Sequence, residues 1–410
     1  PKDEAMIEKI LEAKKRGWWM RLGDYYFPGG KEGWLKWTAQ DRDARSRDID
    51  GYYISGGKGF QISPTYRGKM FEAMLADDIE VARRTGINWF AFDMEGYVLP
   101  RGEKACFHER SIAMFRDYLA KRHPKLKYVD PRVFEKDPEK YPELHRAWIG
   151  FKDHAFAGFF AKMKSLLAPA VGQTSPWKGV VFSEWPFHKY WDPEATDKKW
   201  IGPEFARVFD IFETSCYSSV DRYRREMTAS LTALDASGAH KDILLICTPS
   251  PVRWSGSHYA TDDRPLEHEL KYKMFEACGF GAKGLYPWYL AYFNVPAWKN
   301  WVAGIEVINK VEDIIVDGTR IPFPKVTTSN PKVNAHGVAH GRQAVIVVSE
   351  YLTDQPQKST IGYAVEVPSV VIDAETDEVL GRMTPEVPRI EVTIDRERAR
   401  MLVVRPDKND

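Results

Sequence analysis

Residues 87–95 read Ile-Asn-Trp-Phe-Ala-Phe-Asp-Met-Glu, an apolar run that ends in two carboxylates. A short apolar and aromatic run of this kind is typical of a buried strand in a parallel sheet. A period of two and a rise of about 3.3 Å per residue place Asp93 and Glu95 on one side of the strand, about 7 Å apart. Two neighbouring acids are costly to bury unless they share a proton, meet a cation or act on a substrate.

Further β-rich runs alternate with amphipathic helical patterns over the first three quarters of the chain, which predicts a parallel sheet covered by helices. The candidate strands are 18–23, 51–55, 87–95, 179–184, 211–217, 242–248 and 282–289. The candidate helices are 66–84, 108–121, 143–167, 220–236, 265–277 and 297–311. Seven strands nearly complete an eightfold barrel, so we expect the α/β class and a (β/α)8 TIM barrel over residues 1–315.

The eighth strand has two candidate positions. A helical pattern over residues 4–11 would have no strand ahead of it, and a strand upstream of Pro1 would complete the count. In that case 87–95 is strand four, 211–217 is strand six and 282–289 is strand eight. The alternative begins the barrel at Trp18 and expects the eighth strand in the insertion 128–141.

After about residue 317 the helical period disappears, and short β-rich runs separated by Pro, Gly, Asn and Asp follow. These runs are 343–350, 363–368, 370–373, 389–394 and 400–405. They predict a small antiparallel β-sandwich domain over residues 316–410. His336 and His340 lie in a Gly-containing turn of this region, and not on a helix face that would aim both rings at a metal ion.

Composition excludes several classes of function. The chain has 59 Lys and Arg against 58 Asp and Glu, so no charge excess is available to hold a nucleic acid. The sequence contains no run of eighteen apolar residues, so no membrane-spanning helix is predicted. No Gly-x-Gly-x-x-Gly motif occurs, and residues 56–59 lack the spacing of a phosphate-binding loop, so we expect no cofactor. The 14 tryptophans suit a protein that stacks sugar rings.

Cellular location and oligomeric state stay open. The chain begins Pro-Lys-Asp-Glu, so either a leader has been removed or the numbering starts inside a longer protein. Export cannot be inferred from this beginning, but the chain has no Asn-x-Ser/Thr sequon, which is compatible with a secreted or periplasmic bacterial protein. The four cysteines are far apart, and two of them lie in apolar runs, which predicts buried thiols and no disulfide framework.

Active sites of barrel enzymes lie at the carboxyl ends of the strands, which selects the candidate catalytic residues. Asp93 and Glu95 end one strand, and a neighbouring carboxylate with apolar walls can keep one acid protonated for donation to a leaving oxygen. The alternative is a strand that ends one residue earlier, with both acids solvated. Glu184, beside Trp185 at the end of the next candidate strand, could be the partner carboxylate, a hydroxyl-binding residue or a metal ligand.

Aromatic and polar side chains near other strand ends predict contacts with a carbohydrate substrate. Tyr217 ends the run 211–217, and Tyr286 and Trp288 lie in the aromatic cluster that ends 282–289. An aromatic ring at such a position can form the floor on which a sugar stacks. The predicted binding residues are Trp288, Tyr217, Trp185, Tyr286, His258 and Arg21.

These residues resemble the retaining glycoside hydrolases of the chitinase type, family eighteen, and their relatives. The resemblance rests on Asp-x-Glu after strand four, a tyrosine at strand six and a tryptophan at strand eight. It implies that Glu95 is the acid/base, that Asp93 orients an acetamido group, and that Tyr217 and Trp288 contact the substrate. Ala91 and Trp89 stand where that family has further aspartates, and this difference argues against acetamido-assisted chemistry.

Other mechanisms remain compatible with the sequence. One retaining layout places an acid/base Glu on strand four and a nucleophile Glu on strand seven. If the barrel begins at Trp18, these would be Glu184 and a residue of 282–289, but that run contains no carboxylate. Another combines Asp93 or Glu95 with Glu184 or Glu213, and a carboxylate separation of about 5 Å would support it. A metal-dependent barrel enzyme could hold Mg²⁺ through Asp93, Glu95 and Glu184. A non-catalytic carbohydrate-binding protein is the remaining alternative.

Overall fold

The computed structural model describes residues 4–24, 38–56, 59–93, 106–185, 203–216, 219–237, 244–249, 266–285, 287, 293–395 and 398–407. The chain divides into two compact units. The first comprises Pro1–Phe212 and Ala236–Ile243, and the second comprises Glu213–Asp235 and Leu244–Asp410. The sequence analysis places the domain boundary where the helical pattern gives way to short strands, which gives domains 1–315 and 316–410. This division differs from the two compact units and remains a prediction.

A parallel sheet carries the first part of the fold. The strands up to residue 285 are β1 (Leu22–Asp24), β2 (Ser55–Gly56), β3 (Gly59–Phe60), β4 (Trp89–Asp93), β5 (Val181–Trp185), β6 (Ile211–Cys216), β7 (Leu244–Pro249) and β8 (Ala282–Leu285). Among the described residues, six of them form one sheet in the order β1-β4-β5-β6-β7-β8. The predicted α/β class is confirmed, and closure into an eight-stranded barrel remains a prediction.

Helices connect these strands. They are α1 (Glu4–Lys15), α2 (Met70–Thr85), α3 (Glu109–Arg122), α4 (Pro131–Phe134), α5 (Pro142–Leu167), α6 (Pro203–Ala206), α7 (Val220–Ser237), α8 (Leu266–Gly279), α9 (Val295–Asn309) and α10 (Glu312–Asp317). The six predicted helices are confirmed, and the largest difference is at the start of α2, residue 70 instead of 66. Polar caps explain several of the starts: His108 accepts the N–H of Arg110, and Asn294 accepts that of Ala297.

The candidate strand 51–55 does not join the parallel sheet, contrary to the prediction. β2 pairs with β3 in an antiparallel hairpin, and β1 pairs directly with β4, with Leu22 opposite Phe90. Gly51 has a positive φ of 89° and turns the chain, so the apolar residues after it lie in a compact loop. The count that made 87–95 strand four, 211–217 strand six and 282–289 strand eight is therefore wrong for the described residues.

The insertion 128–141 does not supply an eighth strand either. It contains α4, which begins after Asp130, whose carboxylate accepts the N–H of Arg132. Pro131 occupies the first helical position, where a missing N–H costs nothing. Phe134 at the end of α4 is fully buried. This segment therefore packs as a helical turn, and the alternative position for an eighth strand is wrong.

The helix-facing side of the first unit's sheet is an aromatic layer. Phe92 of β4 packs edge-on against Phe182 of β5, with 4.8 Å between ring centroids, and against Phe160 of α5 at 5.3 Å. Phe209, which precedes β6, packs on Phe160 at 5.0 Å. All four rings are buried. Helix α5 therefore covers this side of the sheet along β4 and β5.

Antiparallel strands follow α10. They are β9 (Thr319–Arg320), β10 (Thr327–Thr328), β11 (Asn334–His340), β12 (Gln343–Glu350), β13 (Gln357–Gly362), β14 (Ser369–Asp373), β15 (Val379–Met383), β16 (Arg389–Ile394) and β17 (Arg398–Pro406). They form a sheet of order β15-β14-β17-β12-β11-β9 and a second of order β10-β13-β16. Apolar residues from both sheets, such as Ile346, Ile361 and Leu402, share one core.

Four of the five short strands predicted in this region are confirmed. The run 363–368 is not a strand, because the ladder ends at Gly362 and Tyr363 donates its N–H to the carbonyl of Pro388. Val365 nevertheless packs against the shared core, which explains the apolar pattern there. His336 was expected in a turn, but it lies within β11 and is 3% exposed.

Strand β12 is buried on both of its faces. Ala344, Ile346 and Val348 belong to the core between the two sheets. Val345 and Val347 belong to another core, which includes Met274 and Phe275 of α8. Gly337 of β11 lies opposite Ile346, and a methyl group at position 337 would collide with the backbone of Val345 and Ile346. The second unit is thus layered as helix, sheet and sheet, with β12 at its centre.

Candidate active site

The carboxyl ends of β1, β4 and β5 lie side by side in the first unit. Asp24 lies opposite Phe92, and Phe92 lies opposite Glu184. One position further along, Asp93 lies opposite Trp185. Neighbouring strands in a sheet are about 4.8 Å apart. The backbone therefore brings three of the predicted site residues, Asp93, Glu184 and Trp185, to one edge of the sheet.

Asp24 is a further carboxylate at this edge, and the sequence analysis does not select it. The candidate strand 18–23 stops one residue too early, whereas β1 runs from Leu22 to Asp24. An acid at the end of the run Leu-Gly-Asp was the signal that could have identified it. The edge thus carries acidic residues at the ends of three neighbouring strands.

Ordered side chains lie deeper along the same strands. The indole N–H of Trp89, at the start of β4, donates a 2.9 Å hydrogen bond to Oγ of Ser183 in β5. Ser183 is fully buried, and Trp89 is 9% exposed. The guanidinium of Arg21 lies 6.0 Å from the centre of the Trp89 ring, within the range of a cation–π contact. The structure thus places Arg21 near the amino end of β4.

The register separates Glu184 from Asp93. Glu184 shares its position in the sheet with Phe92, whose ring packs on the helix side, and Asp93 shares its position with Trp185. Residues that are paired in register across parallel strands lie on the same face. Position 184 therefore lies on the same face of the sheet as Phe92, and position 93, one residue further along β4, lies on the opposite face.

The 3-10 turn Arg42–Ala44 is held against the start of α3 by a small ion-pair cluster. Nε2 of His108 lies 3.1 Å from a carboxylate oxygen of Asp43, and Arg110 pairs with the same carboxylate. Burial lowers the pKa of His108, and the charge of Arg110 lowers it further. Nδ1 of His108 accepts the N–H of Arg110, so the neutral ring carries its proton on Nε2, the nitrogen that faces Asp43.

A second contact in this segment involves Tyr66. Its hydroxyl donates a 2.6 Å hydrogen bond to Asp41 and accepts the N–H of Met70 at the start of α2. Burial, together with the hydrogen bond to Asp41, raises the pKa of Tyr66 to about 12. Tyr66 is therefore neutral and structural. These contacts fix residues 41–43 against the starts of α2 and α3.

Several predicted residues lie outside the described residues: Glu95, Tyr217, His258, Tyr286 and Trp288. Glu213, a carboxylate of the alternative layout, belongs to β6 in the second unit and is 1% exposed. Its neighbour Thr214 lies 3.2 Å from the hydroxyl of Tyr223, oxygen to oxygen. Cys106 and Cys278 are buried free thiols, as predicted.

Metal-binding clusters and membrane-spanning helices are absent from the described residues. Within the described ranges, no three His, Cys, Asp or Glu side chains are grouped so that they could hold a metal ion. Over the same ranges, every helix is too short or too polar to cross a lipid bilayer.

No known protein family and no curated protein sequence matches the chain. Solved structures do. A GH36 alpha-galactosidase from Geobacillus stearothermophilus, in complex with stachyose, aligns over 96% of this chain with a TM-score of 0.54 and 10% identity. An alpha-galactosidase from Lactobacillus brevis aligns over 98% with a TM-score of 0.52 and 10% identity. The chain shares the fold of these glycosidases.

A third similar structure is an alpha-amylase from Geobacillus thermoleovorans, complexed with acarbose. It aligns over 98% of this chain with a TM-score of 0.50 and 11% identity. The chain spans 80% of the amylase chain but only 45% and 46% of the two alpha-galactosidase chains. At these identities the likeness concerns the fold, and the resemblance to the chitinase type gains no support from it.

Proposed function

We propose that the protein is a glycoside hydrolase that uses Glu95 and Asp93 as its catalytic carboxylates. The observation that carries this proposal is the position of Asp93, the last residue of β4, opposite Trp185 at the carboxyl edge of the parallel sheet. Enzymes built on such sheets place their catalytic groups at this edge. The shared fold with glycosidases of known structure supports the class of reaction.

Two carboxylates suffice for this chemistry. A protonated acid donates its proton to the glycosidic oxygen as the bond to the sugar breaks, and a second, ionised carboxylate acts on the cationic sugar that develops. We assign the proton donor to Glu95 and the ionised role to Asp93. In a retaining mechanism the second carboxylate forms a glycosyl-enzyme intermediate, which water then hydrolyses with the first residue as base. Glu184 is the remaining candidate at this edge.

The substrate side of the proposal is a poly- or oligosaccharide. Trp185 lies next to Asp93 in the sheet and would offer an aromatic face to a sugar ring. Trp288, Tyr217, Tyr286 and His258 remain predicted contacts from the sequence. The proposal also includes a closed barrel over residues 1–315 and a separate β-sandwich over 316–410.

The test is hydrolysis of a panel of chromogenic glycosides and polysaccharides by wild type, Glu95→Gln, Asp93→Asn and Glu184→Gln. We expect the Glu95 and Asp93 variants to lose about 100-fold or more in turnover, as for removal of a catalytic acid or nucleophile. Glu204→Gln serves as the control, because that carboxylate pairs with His154 away from the strand ends.

The same panel separates the alternatives. Activity that disappears with a chelator and returns with Mg²⁺ would contradict the proposal and support a metal-dependent enzyme. Binding of a glycan with no turnover on any substrate would support a carbohydrate-binding protein. Proton NMR of the first product, taken before the anomers equilibrate, decides between retention and inversion.

A further inference from the structure

Two neighbouring tryptophans lie exposed at the amino edge of the first unit's sheet. Trp18 is 59% exposed and Trp19 is 61% exposed, whereas most aromatic rings of this unit are buried. Both lie between α1 and β1, so they precede the sheet. Asp93 and Trp185 end their strands at the opposite edge. The length of β4 alone, four steps of about 3.3 Å, separates the two edges by about 13 Å.

Trp19 packs against a neighbouring tryptophan. Its ring packs at 60° to that of Trp177, with 5.9 Å between centroids, and Trp177 packs at 83° to Trp89 at 5.2 Å. Trp89 is in turn fixed by its hydrogen bond to Ser183. A chain of aromatic contacts therefore runs from the interior of the sheet to an exposed indole. A fixed ring loses little conformational entropy when a ligand stacks on it.

Trp18 is fixed by the end of helix α1. Its N–H bonds to the carbonyl of Ala13, and the N–H of Gly17 bonds to that of Lys14. Gly17 has a φ of 72°, which completes a Schellman motif. The guanidinium of Arg16 lies 5.2 Å from the centre of the Trp18 ring and is paired with Glu12. One indole thus has charged hydrogen-bonding groups directly beside it.

The size and chemistry of this patch, Trp18 and Trp19 with Arg16 and Glu12, indicate the ligand. Two indoles exposed by about 60% offer roughly 300 Å² of aromatic surface. A stable protein interface needs about 800 Å² from each partner, so the patch is too small to hold a second copy of the chain by itself. A sugar ring has an apolar face that stacks on indole and hydroxyl groups that pair with Arg and Glu side chains.

We propose that this patch is a second carbohydrate-binding site, which holds a glycan chain away from the catalytic edge. The choice of a glycan rests in part on the proposed function, whereas the geometry of the patch does not. Such a site would raise the local concentration of a polymeric substrate without contacting the bond that is cleaved.

The test is affinity electrophoresis in gels that contain soluble starch, galactomannan or xylan. We expect at least one polysaccharide to retard the wild type, and the double variant Trp18→Ala/Trp19→Ala to bind about tenfold more weakly, with the Phe/Phe variant intermediate. Trp298→Ala is the matched control, because Trp298 is also exposed but lies on α9. Thermal melts establish that each variant is folded.

The outcomes distinguish this inference from the proposed function. Retardation that depends on both tryptophans, in a protein without turnover, supports the site and contradicts the glycosidase. Turnover that requires Glu95, with retardation unchanged in the double variant or with no retardation of the wild type, contradicts the site alone. A dimer in sedimentation that dissociates in the double variant would also overturn the inference, in favour of self-association.

Discussion

The hydroxyl of Tyr351 donates a 2.8 Å hydrogen bond to Oε1 of Glu276 where both side chains are almost completely buried. The other carboxylate oxygen lies 3.1 Å from Nε2 of His336, an ion-pair distance without the alignment of a good hydrogen bond. Burial by itself would raise the pKa of Glu276, but His336 and its other partners outweigh it, and the pKa lies below the ordinary value of 4.5. An ionised Glu276 therefore fastens α8 to the sheet of β11 and β12.

We expect Tyr351→Phe to destabilise the second unit by about 1–3 kcal/mol, because the buried carboxylate of Glu276 loses a hydrogen-bond donor. Urea denaturation measures the change in the free energy of unfolding. Tyr363→Phe is the control, since Tyr363 is only partly buried and its hydroxyl makes no hydrogen bond in the described part of the chain. Equal losses in the two variants would show that the Tyr351–Glu276 bond contributes nothing specific.

The stabilisation by Glu276 should depend on pH. Because its pKa is lowered on folding, the ionised form stabilises the protein fully above the unfolded value of about 4.5, and this stabilisation disappears as the pH falls through the lower folded value. Unfolding of wild type and Glu276→Gln between pH 7 and pH 3 tests this. The difference between them should stay constant above pH ~5 and shrink in acid; a difference that persists to pH 3 would contradict the assignment.

Ser183→Ala should leave the buried indole N–H of Trp89 without its acceptor, at a cost of about 1–3 kcal/mol. If the edge above it is catalytic, turnover should fall as well, because Ser183 directly precedes Glu184 and lies in register with Ala91. Thermal denaturation and hydrolysis rates are the two measurements. Ser165→Ala, an exposed serine on α5, should change neither.

Gly17→Ala should destabilise the protein by about 1–2 kcal/mol, since an L-residue resists the left-handed backbone of the Schellman motif. It should also weaken polysaccharide binding, because the backbone of Trp18 is fixed by that motif. Gly51→Ala is the matched variant: its φ of 89° gives a similar penalty, far along the chain from the tryptophans. Weaker binding in both variants would attribute the effect to stability alone.

The sequence predicts the helices well, because the apolar period and the capping residues are local. The end of α5 at Leu167 and the start of α7 at Val220 are at the predicted positions. The strands are harder, since Tyr52, Tyr53 and Ile54 have strand-forming side chains but lie in a loop that folds back through isolated bridges. β-propensity describes a half-buried surface, and a packed loop also provides one.

For the candidate site, the sequence predicts which residues lie at strand ends, but not which of them face each other across the sheet. Asp93, Glu184 and Trp185 lie at strand ends, as expected. Which of these residues share a face of the sheet depends on the register between β4 and β5, and no local sequence pattern specifies that register. Asp24 was missed because the candidate strand 18–23 stops one residue before it, whereas β1 includes it.

The double burial of β12 has a consequence for how its alignment with β11 is chosen. Where one face of a strand is exposed to solvent, a shift in register by one residue turns its apolar side chains toward water, which is unfavourable. From Ala344 to Val348 both faces of β12 are apolar, so the polarity of these side chains penalises such a slip less. Gly337 adds a steric constraint, because the backbone of Val345 and Ile346 leaves no room for a side chain at that position. Glycine at position 337 thus helps to fix the alignment of β11 with β12.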